Sequence, residues 1–316
     1  MQKKTVLIVL MLVVMLAASV FLIRRQSTDS RLPTIAFVVP TLANPFFVQM
    51  KEGAEAEIDS ATATVLFQAP AGGVEDQAAQ SDLVETLVAR GVSAVCLVPA
   101  DSSAVVSAVE TANSAGVPVI NVDNRINDEA AAERGVSVPV YIGSDNTLGG
   151  QLAGEYIVER LGGQGGVILL EGLVGSDAAI QRANGFLAAI DGASEITLLA
   201  RESASWSREQ ALDKFGSMLL ANPNADAVFA ANDEMALGAA AALAATGSDA
   251  QRGRIFIIGF DATPDGLQAV QDGRLAGTIA QQPVEMGRTC VSAALDLISG
   301  KSVAAEIATA VTLVTQ

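Results

Sequence analysis

Ten short runs of aliphatic and β-branched residues, each apolar from end to end, alternate along this chain with stretches of helical periodicity. The runs fall at 34–39, 63–68, 93–98, 117–122, 138–142, 166–170, 196–200, 226–230, 254–259 and 275–280. Between them lie segments such as 75–90 and 208–221, whose apolar positions recur at helical spacing. A strand with one wet face alternates polar and apolar residues, and these runs do not. The pattern therefore predicts parallel strands covered by helices on both faces, an α/β class with doubly wound sheets. The order of elements runs through twice, changing near residues 140–146, so two lobes of about equal size are expected. Ligands of such sheets sit outside the carboxyl ends of the strands, which makes the strand ends the places to read for chemistry.

After the first run comes Asn44-Pro45-Phe46-Phe47. Asn44 and Pro45 suit the cap and first turn of a helix; equally, the amide can hold a ligand while an aromatic face covers its C–H surface. Asp101 or Ser102 is expected to cap the helix after the third run. Asp123-Asn124-Arg125 ends the fourth, and its carboxylate and guanidinium are either a surface ion pair or, at a cleft, charge-assisted partners for hydroxyls. In the second half, Gly172 to Arg182 reads as a glycine-bearing turn into a helix with a basic residue in its early turns. Trp206, the single tryptophan, stands in a polar loop and reads as either core or a platform. Asn232, Asp261 and Gln281 follow three further runs. Any one of these is a helix cap taken alone; on successive strand ends they converge on one crevice.

The missing chemistry narrows the use of that crevice. There is no histidine, which excludes Ser-His-Asp and Cys-His catalysis and His-ligated metals. Gly300-Lys301-Ser302 resembles the end of a phosphate loop, but Leu295 stands where a glycine is required. The glycines at 162–166 precede a strand instead of following one, so a dinucleotide fingerprint fails. No cofactor, no metal and no enzymatic activity are expected. With 19 basic residues against 35 acidic, the chain lacks the basic surface that nucleic acid needs and is expected to be soluble and monomeric. Amides, carboxylates, arginine and aromatics together suit a small neutral polyhydroxylated ligand, since hydroxyls need donors and acceptors in fixed places. Two lobes around a cleft imply hinge closure on it.

Residues 6–23 are uncharged and mostly apolar behind Lys3-Lys4, reading as a cleaved export signal or a retained membrane anchor. The body is thus expected in the periplasm or at the cell surface, in the second case held at the cytoplasmic membrane. Cys96 and Cys290, the two cysteines, read as buried thiols, with a disulfide open to them in an oxidising compartment.

Thr34-Ile-Ala-Phe-Val-Val with Asn44-Pro-Phe-Phe, Ser144-Asp-Asn-Thr-Leu-Gly-Gly150, Phe229-Ala-Ala-Asn-Asp-Glu-Met-Ala-Leu-Gly238, Gly259-Phe-Asp-Ala-Thr-Pro-Asp-Gly266 and Thr278-Ile-Ala-Gln-Gln-Pro283 together resemble the ribose-binding proteins of bacterial ABC importers, of the type I periplasmic binding protein fold. The likeness runs from about Pro33 to the C-terminus. It implies two lobes joined by three crossings, 33–143 with 282–310 and 144–281 with 311–316, behind a signal or anchor (1–25) and a tether (26–32). It also implies sugar contacts at Asn44, Phe46, Phe47 and Asp123 in the first lobe, and at Arg182, Trp206, Asn232, Asp261 and Gln281 in the second lobe and hinge.

Three positions depart from that pattern: Val98 replaces an asparagine, Asn124 replaces an arginine with Arg125 displaced by one residue, and Trp206 replaces a phenylalanine. An altered donor set implies another pentose, a furanose hexose or a related polyol, with Val98, Asn124 and Arg125 governing the choice. The resemblance further implies ABC permease transmembrane subunits as partners. A chemoreceptor or membrane sensor kinase is the alternative partner. The effector domain of lactose-repressor-like regulators shares the body, but those carry a helix-turn-helix where this chain has an apolar segment.

Overall fold

The structure, a computed structural model, describes residues 32–58 and 62–316. The expected export segment and the tether up to Arg31 lie outside the described residues. Among the described residues no helix is long and apolar enough to cross a membrane.

Thr34–Gln316 form one compact unit built on two six-stranded sheets. The first half of the chain runs β1 (Thr34–Val38), α1 (Pro45–Glu57), β2 (Thr64–Gln68), α2 (Gln77–Ala89), β3 (Ala94–Leu97), α3 (Val106–Ser114), β4 (Val119–Val122), α4 (Asp128–Glu133) and β5 (Val140–Ser144). The second continues with α5 (Asn146–Leu161), β6 (Gln164–Glu171), α6 (Asp177–Asp191), β7 (Glu195–Ser203), α7 (Arg208–Ala221), β8 (Ala225–Ala230), α8 (Asp233–Thr246), α9 (Asp249–Arg254), β9 (Phe256–Asp261), α10 (Pro264–Gln271), β10 (Gly277–Ala280), α11 (Pro283–Ile298), β11 (Glu306–Thr309) and β12 (Thr312–Thr315).

Strand order is β11-β5-β4-β3-β1-β2 in one sheet and β12-β10-β9-β8-β6-β7 in the other. Every pairing is parallel except β12 against β10. The chain thus passes between sheets after β5, between β10 and α11, and between β11 and β12, which makes the doubly wound pair with three crossings. All ten apolar runs are strands. β11 and β12 were not among the expected ones; both are four-residue edge strands with partly exposed, polar-interrupted sequences, so they lack the apolar signature of a doubly covered strand.

The central strands are apolar throughout because both faces are covered. In the first sheet α1 and α11 pack one face, burying Phe37, Met50 and Met286, and α2 and α3 pack the other, burying Leu87, Leu97 and Val109. In the second, α7, α8 and α10 bury Phe215, Met235 and Ile257 on one side, while α5 and α6 bury Ile157, Phe186 and Phe260 on the other. Fully burying each such aliphatic or aromatic side chain contributes about 1.5–3 kcal/mol.

The cysteines correct the sequence reading. Cys96 of β3 and Cys290 of α11, both wholly buried, are joined in a disulfide instead of standing as two thiols. α11 lies against β3, and their Cα atoms are 6.2 Å apart, inside the span a disulfide bridges. Their separation of 194 residues hides that proximity from any reading of local sequence.

Candidate functional site

The carboxyl ends of the two sheets face a common cavity of about 60 Å³. Asn44 caps α1, its Oδ1 accepting from Phe46 N at 2.9 Å, so the cap is real. It also lines the cavity, so the two readings of Asn44 hold together. Phe46 and Phe47 follow, edge to face with centroids 5.3 Å apart. Val98, just past β3, and Asp123 and Asn124, just past β4, complete the wall from the first sheet.

Opposite them stand Arg182 of α6, Trp206, Asn232 at the cap of α8 and Asp261 at the end of β9. Gln281 sits one layer back, donating from Nε2 to Asp261 Oδ1 at 2.8 Å.

Backbone strain concentrates here. Asp123, Trp206 and Asp261 are non-glycine residues with φ of 61°, 61° and 110°, a conformation costing on the order of 1–3 kcal/mol each and typical of functional sites. Two hydrogen bonds hold Asp123 in it: its N–H donates to Ile142 O at 2.8 Å, and Tyr141 Oη donates to its carbonyl at 2.8 Å. Trp206 lies against Gly172, where any Cβ would come within 2.1 Å of the indole. Glycine is therefore required for the tryptophan to reach the cavity.

Arg182 organises the electrostatics. It is buried, donating from Nε to Asn146 Oδ1 at 2.8 Å and from Nη1 to Ala231 O at 2.7 Å, with its guanidinium 3.7 Å from the Phe260 centroid. Asp261 Oδ1 is 3.5 Å from Nη1, a weak pairing. Burial pushes Asp261 well above the usual carboxylate range and Asp123 up as well, and in both cases Arg182 opposes the shift without cancelling it. Among the described residues, Asp123 Oδ1 and Gln281 Oε1 are buried acceptors without a hydrogen-bond partner.

Arg125 does not join this group. It stacks over Tyr141 at 3.7 Å and pairs with Glu306 of β11 at 2.8 Å, whereas its neighbour Asn124 still lines the cavity. Ser102 and Asp101 also differ from expectation. Asp101 Oδ1 accepts from Ser103 N and Ala104 N at 2.8 Å each, in a turn ahead of α3. Ser102 bonds across the cleft, its N donating to Gly175 O and its Oγ accepting from Asp177 N, both at 2.9 Å. Asn124 does likewise: Oδ1 accepts from Ser176 Oγ at 3.1 Å and Ala178 N at 3.0 Å, while Nδ2 donates to Pro99 O at 2.9 Å.

Two α/β halves with strand-end polar groups facing one cavity are matched along their length by a family model described as a periplasmic binding protein domain, over residues 35–302. The chain belongs to the periplasmic binding protein family. The ribose import binding protein of Escherichia coli K12 is 40% identical over 273 residues, covering 86% of this chain and 87% of that protein. An ABC transporter periplasmic solute binding protein from Actinobacillus succinogenes, solved with bound D-allose, has a TM-score of 0.83 at 33% identity, covering 90% of this chain and 97% of that one. The fructose-binding periplasmic domain of a hybrid two-component system has a TM-score of 0.81 at 28% identity, covering 90% and 91%. These relatives are binding proteins, not enzymes.

Within this periplasmic binding protein, three supporting residues escaped the sequence reading. Asn146 orients Arg182, Tyr141 orients Asp123, and Gln80, wholly buried in α2, donates to Val98 O and accepts from Ala100 N, both at 2.8 Å. Asn146 carried a signal, standing next to a strand end in Ser144-Asp-Asn; Gln80 carried none.

Asp233, the residue after Asn232, is wholly buried and accepts from Thr263 N, Thr263 Oγ1 and Thr278 Oγ1. Burial outweighs these bonds and pushes its carboxyl up to about 6. With the folded value above the unfolded one near 3.8, the stabilisation is fully present below pH ~4 and is lost as pH rises through ~6, a few kcal/mol in all. Asp233→Asn mimics the protonated side chain. Urea midpoints of wild type and variant should therefore converge near pH 4 and separate above pH ~6, with the variant more stable. A separation independent of pH would refute this assignment.

Proposed function

We propose that this protein is the extracytoplasmic substrate-binding component of an ABC sugar importer. It captures a monosaccharide between its two halves by hinge closure and presents it to the permease transmembrane subunits. One observation carries the reading: among the described residues Asp123 Oδ1, in the cavity wall, is a buried acceptor without a donor, and Phe46, Phe47 and Trp206 line the same cavity. Sugar hydroxyls supply such donors, and the aromatic faces cover sugar C–H surface. The ribose-binding and D-allose-bound relatives support a pentose or a hexose, and solved relatives that bind galactofuranose and myo-inositol keep a furanose or a polyol within the reading. Export is part of the same reading, to the periplasm or to the outer face of the cytoplasmic membrane.

Calorimetric titration with a panel of pentoses, hexoses and polyols tests it. Micromolar binding of at least one is expected, weakened by about 1–3 kcal/mol in Asp123→Ala and Asn232→Ala as buried partners lose their mates. No heat from any member with folded protein, or unchanged affinity in both variants, would sink the reading. A second reading is sensing, with the loaded protein delivered to a chemoreceptor or membrane kinase. The likeness to a sugar-binding domain of a two-component system favours it.

A further inference from the structure

The cavity is chemically one-sided. Its charged groups gather at Asp123, Arg182 and Asp261, with the amides of Asn44 and Asn232 and the hydroxyl of Thr41 also in the lining. A second part of the lining is apolar: Val98 and Ala100 from the first half, and Leu173 and Ala178 from the second, are brought together where Asn124 bonds to Pro99, Ser176 and Ala178, and several backbone groups there are already taken. Val98 N donates to Val38 O, and Gln80 holds both Val98 O and Ala100 N. Asn124 takes Pro99 O, and its own Oδ1 is filled by Ser176 Oγ and Ala178 N from across the cleft. A hydroxyl directed at Val98 meets its methyl groups, with the backbone N–H and C=O behind them already bonded, whereas a C–H or methyl group packs against it.

We propose that the ligand is a deoxy monosaccharide, one that presents a deoxygenated carbon or a methyl group to Val98 while its remaining hydroxyls meet the Asp123–Arg182–Asp261 side. The proposal rests on the sugar-binding reading above and names the class of sugar within it. Gln80 is the positioning residue of this segment: it occupies Val98 O and Ala100 N with its one side-chain amide.

The test is calorimetric titration of the purified protein with matched pairs of parent sugar and monodeoxy derivative: ribose with 2-deoxyribose and 5-deoxyribose, and allose and galactose each with the 6-deoxy form. At least one derivative is expected to bind about 10- to 100-fold more tightly than its parent, the range over which an apolar pocket rejects an added hydroxyl. Val98→Thr, which adds one hydroxyl at nearly constant volume, and Val98→Asn should shrink or invert that preference, with the unfolding midpoint of each variant measured alongside to show that it is folded. If every parent binds more tightly than all its derivatives, the deoxy class is overturned while sugar binding stands. If neither parents nor derivatives bind, the sugar reading falls and this inference with it.

Discussion

Arg182→Ala is expected to lower stability by about 3–5 kcal/mol at neutral pH, the usual result of removing one partner of a buried charge group, and to abolish ligand binding. The side chain donates to Asn146 Oδ1 and Ala231 O, lies on the Phe260 ring, and is the positive charge facing the buried carboxyls of Asp123 and Asp261. Both carboxyls are already raised by burial despite the guanidinium. Without it they rise further, so the folded variant takes up protons more readily than wild type. The penalty should therefore shrink as pH falls and grow as pH rises. Urea unfolding of wild type and variant at pH 5 and pH 8 checks this. An equal penalty at both would show that the loss comes from packing on Phe260 and not from charge. Arg182→Lys would not rescue, because a point ammonium reproduces neither the planar stacking nor the paired donors.

The contrast between Arg182 and Arg125 shows what the sequence could and could not reveal. Strands were legible because a doubly covered parallel strand must be apolar throughout, and the site was legible because polar residues then stand out where those runs end. Asn44, Asp123, Asn232 and Asp261 were found that way, and all line the cavity. Arg125 sits at the same kind of position, yet it turns to Tyr141 and Glu306. Glu306 lies 181 residues away, so nothing local announces the pairing. Gln80 fails for the converse reason: a glutamine in an amphipathic helix reads as solvent-facing, and only the segment from Val98 to Ala100, folding over it, makes it a buried bridge.

Asn124 is subtler still. Its place at the cavity is legible; that its amide is spent joining the two halves is visible only once α6 is in position. On the proposed sugar-binding reading, the choice of ligand depends less on which polar residues surround it than on which of them remain uncommitted.

Replacing both Cys96 and Cys290 by alanine is expected to cost about 4–5 kcal/mol, near the upper end for a disulfide, because the bridge closes a loop of 194 residues. The bond ties β3, whose next residue is Val98, to α11, which begins directly after the Gln281-Gln282 crossing. It therefore fastens the apolar wall of the cavity to the helix that returns the chain to the first sheet. Urea midpoints of wild type with and without reductant, set beside the double variant, measure the effect. Reductant should bring wild type down toward the variant and leave the variant unmoved, and coincident midpoints for all would show that the bridge contributes nothing. A cystine of this kind forms in oxidising compartments and not in the reducing cytosol. A chain kept in the cytoplasm should consequently fold to the less stable, reduced form, and exported protein to the bridged one, so thiol labelling of both fractions tests the export reading independently of any sugar.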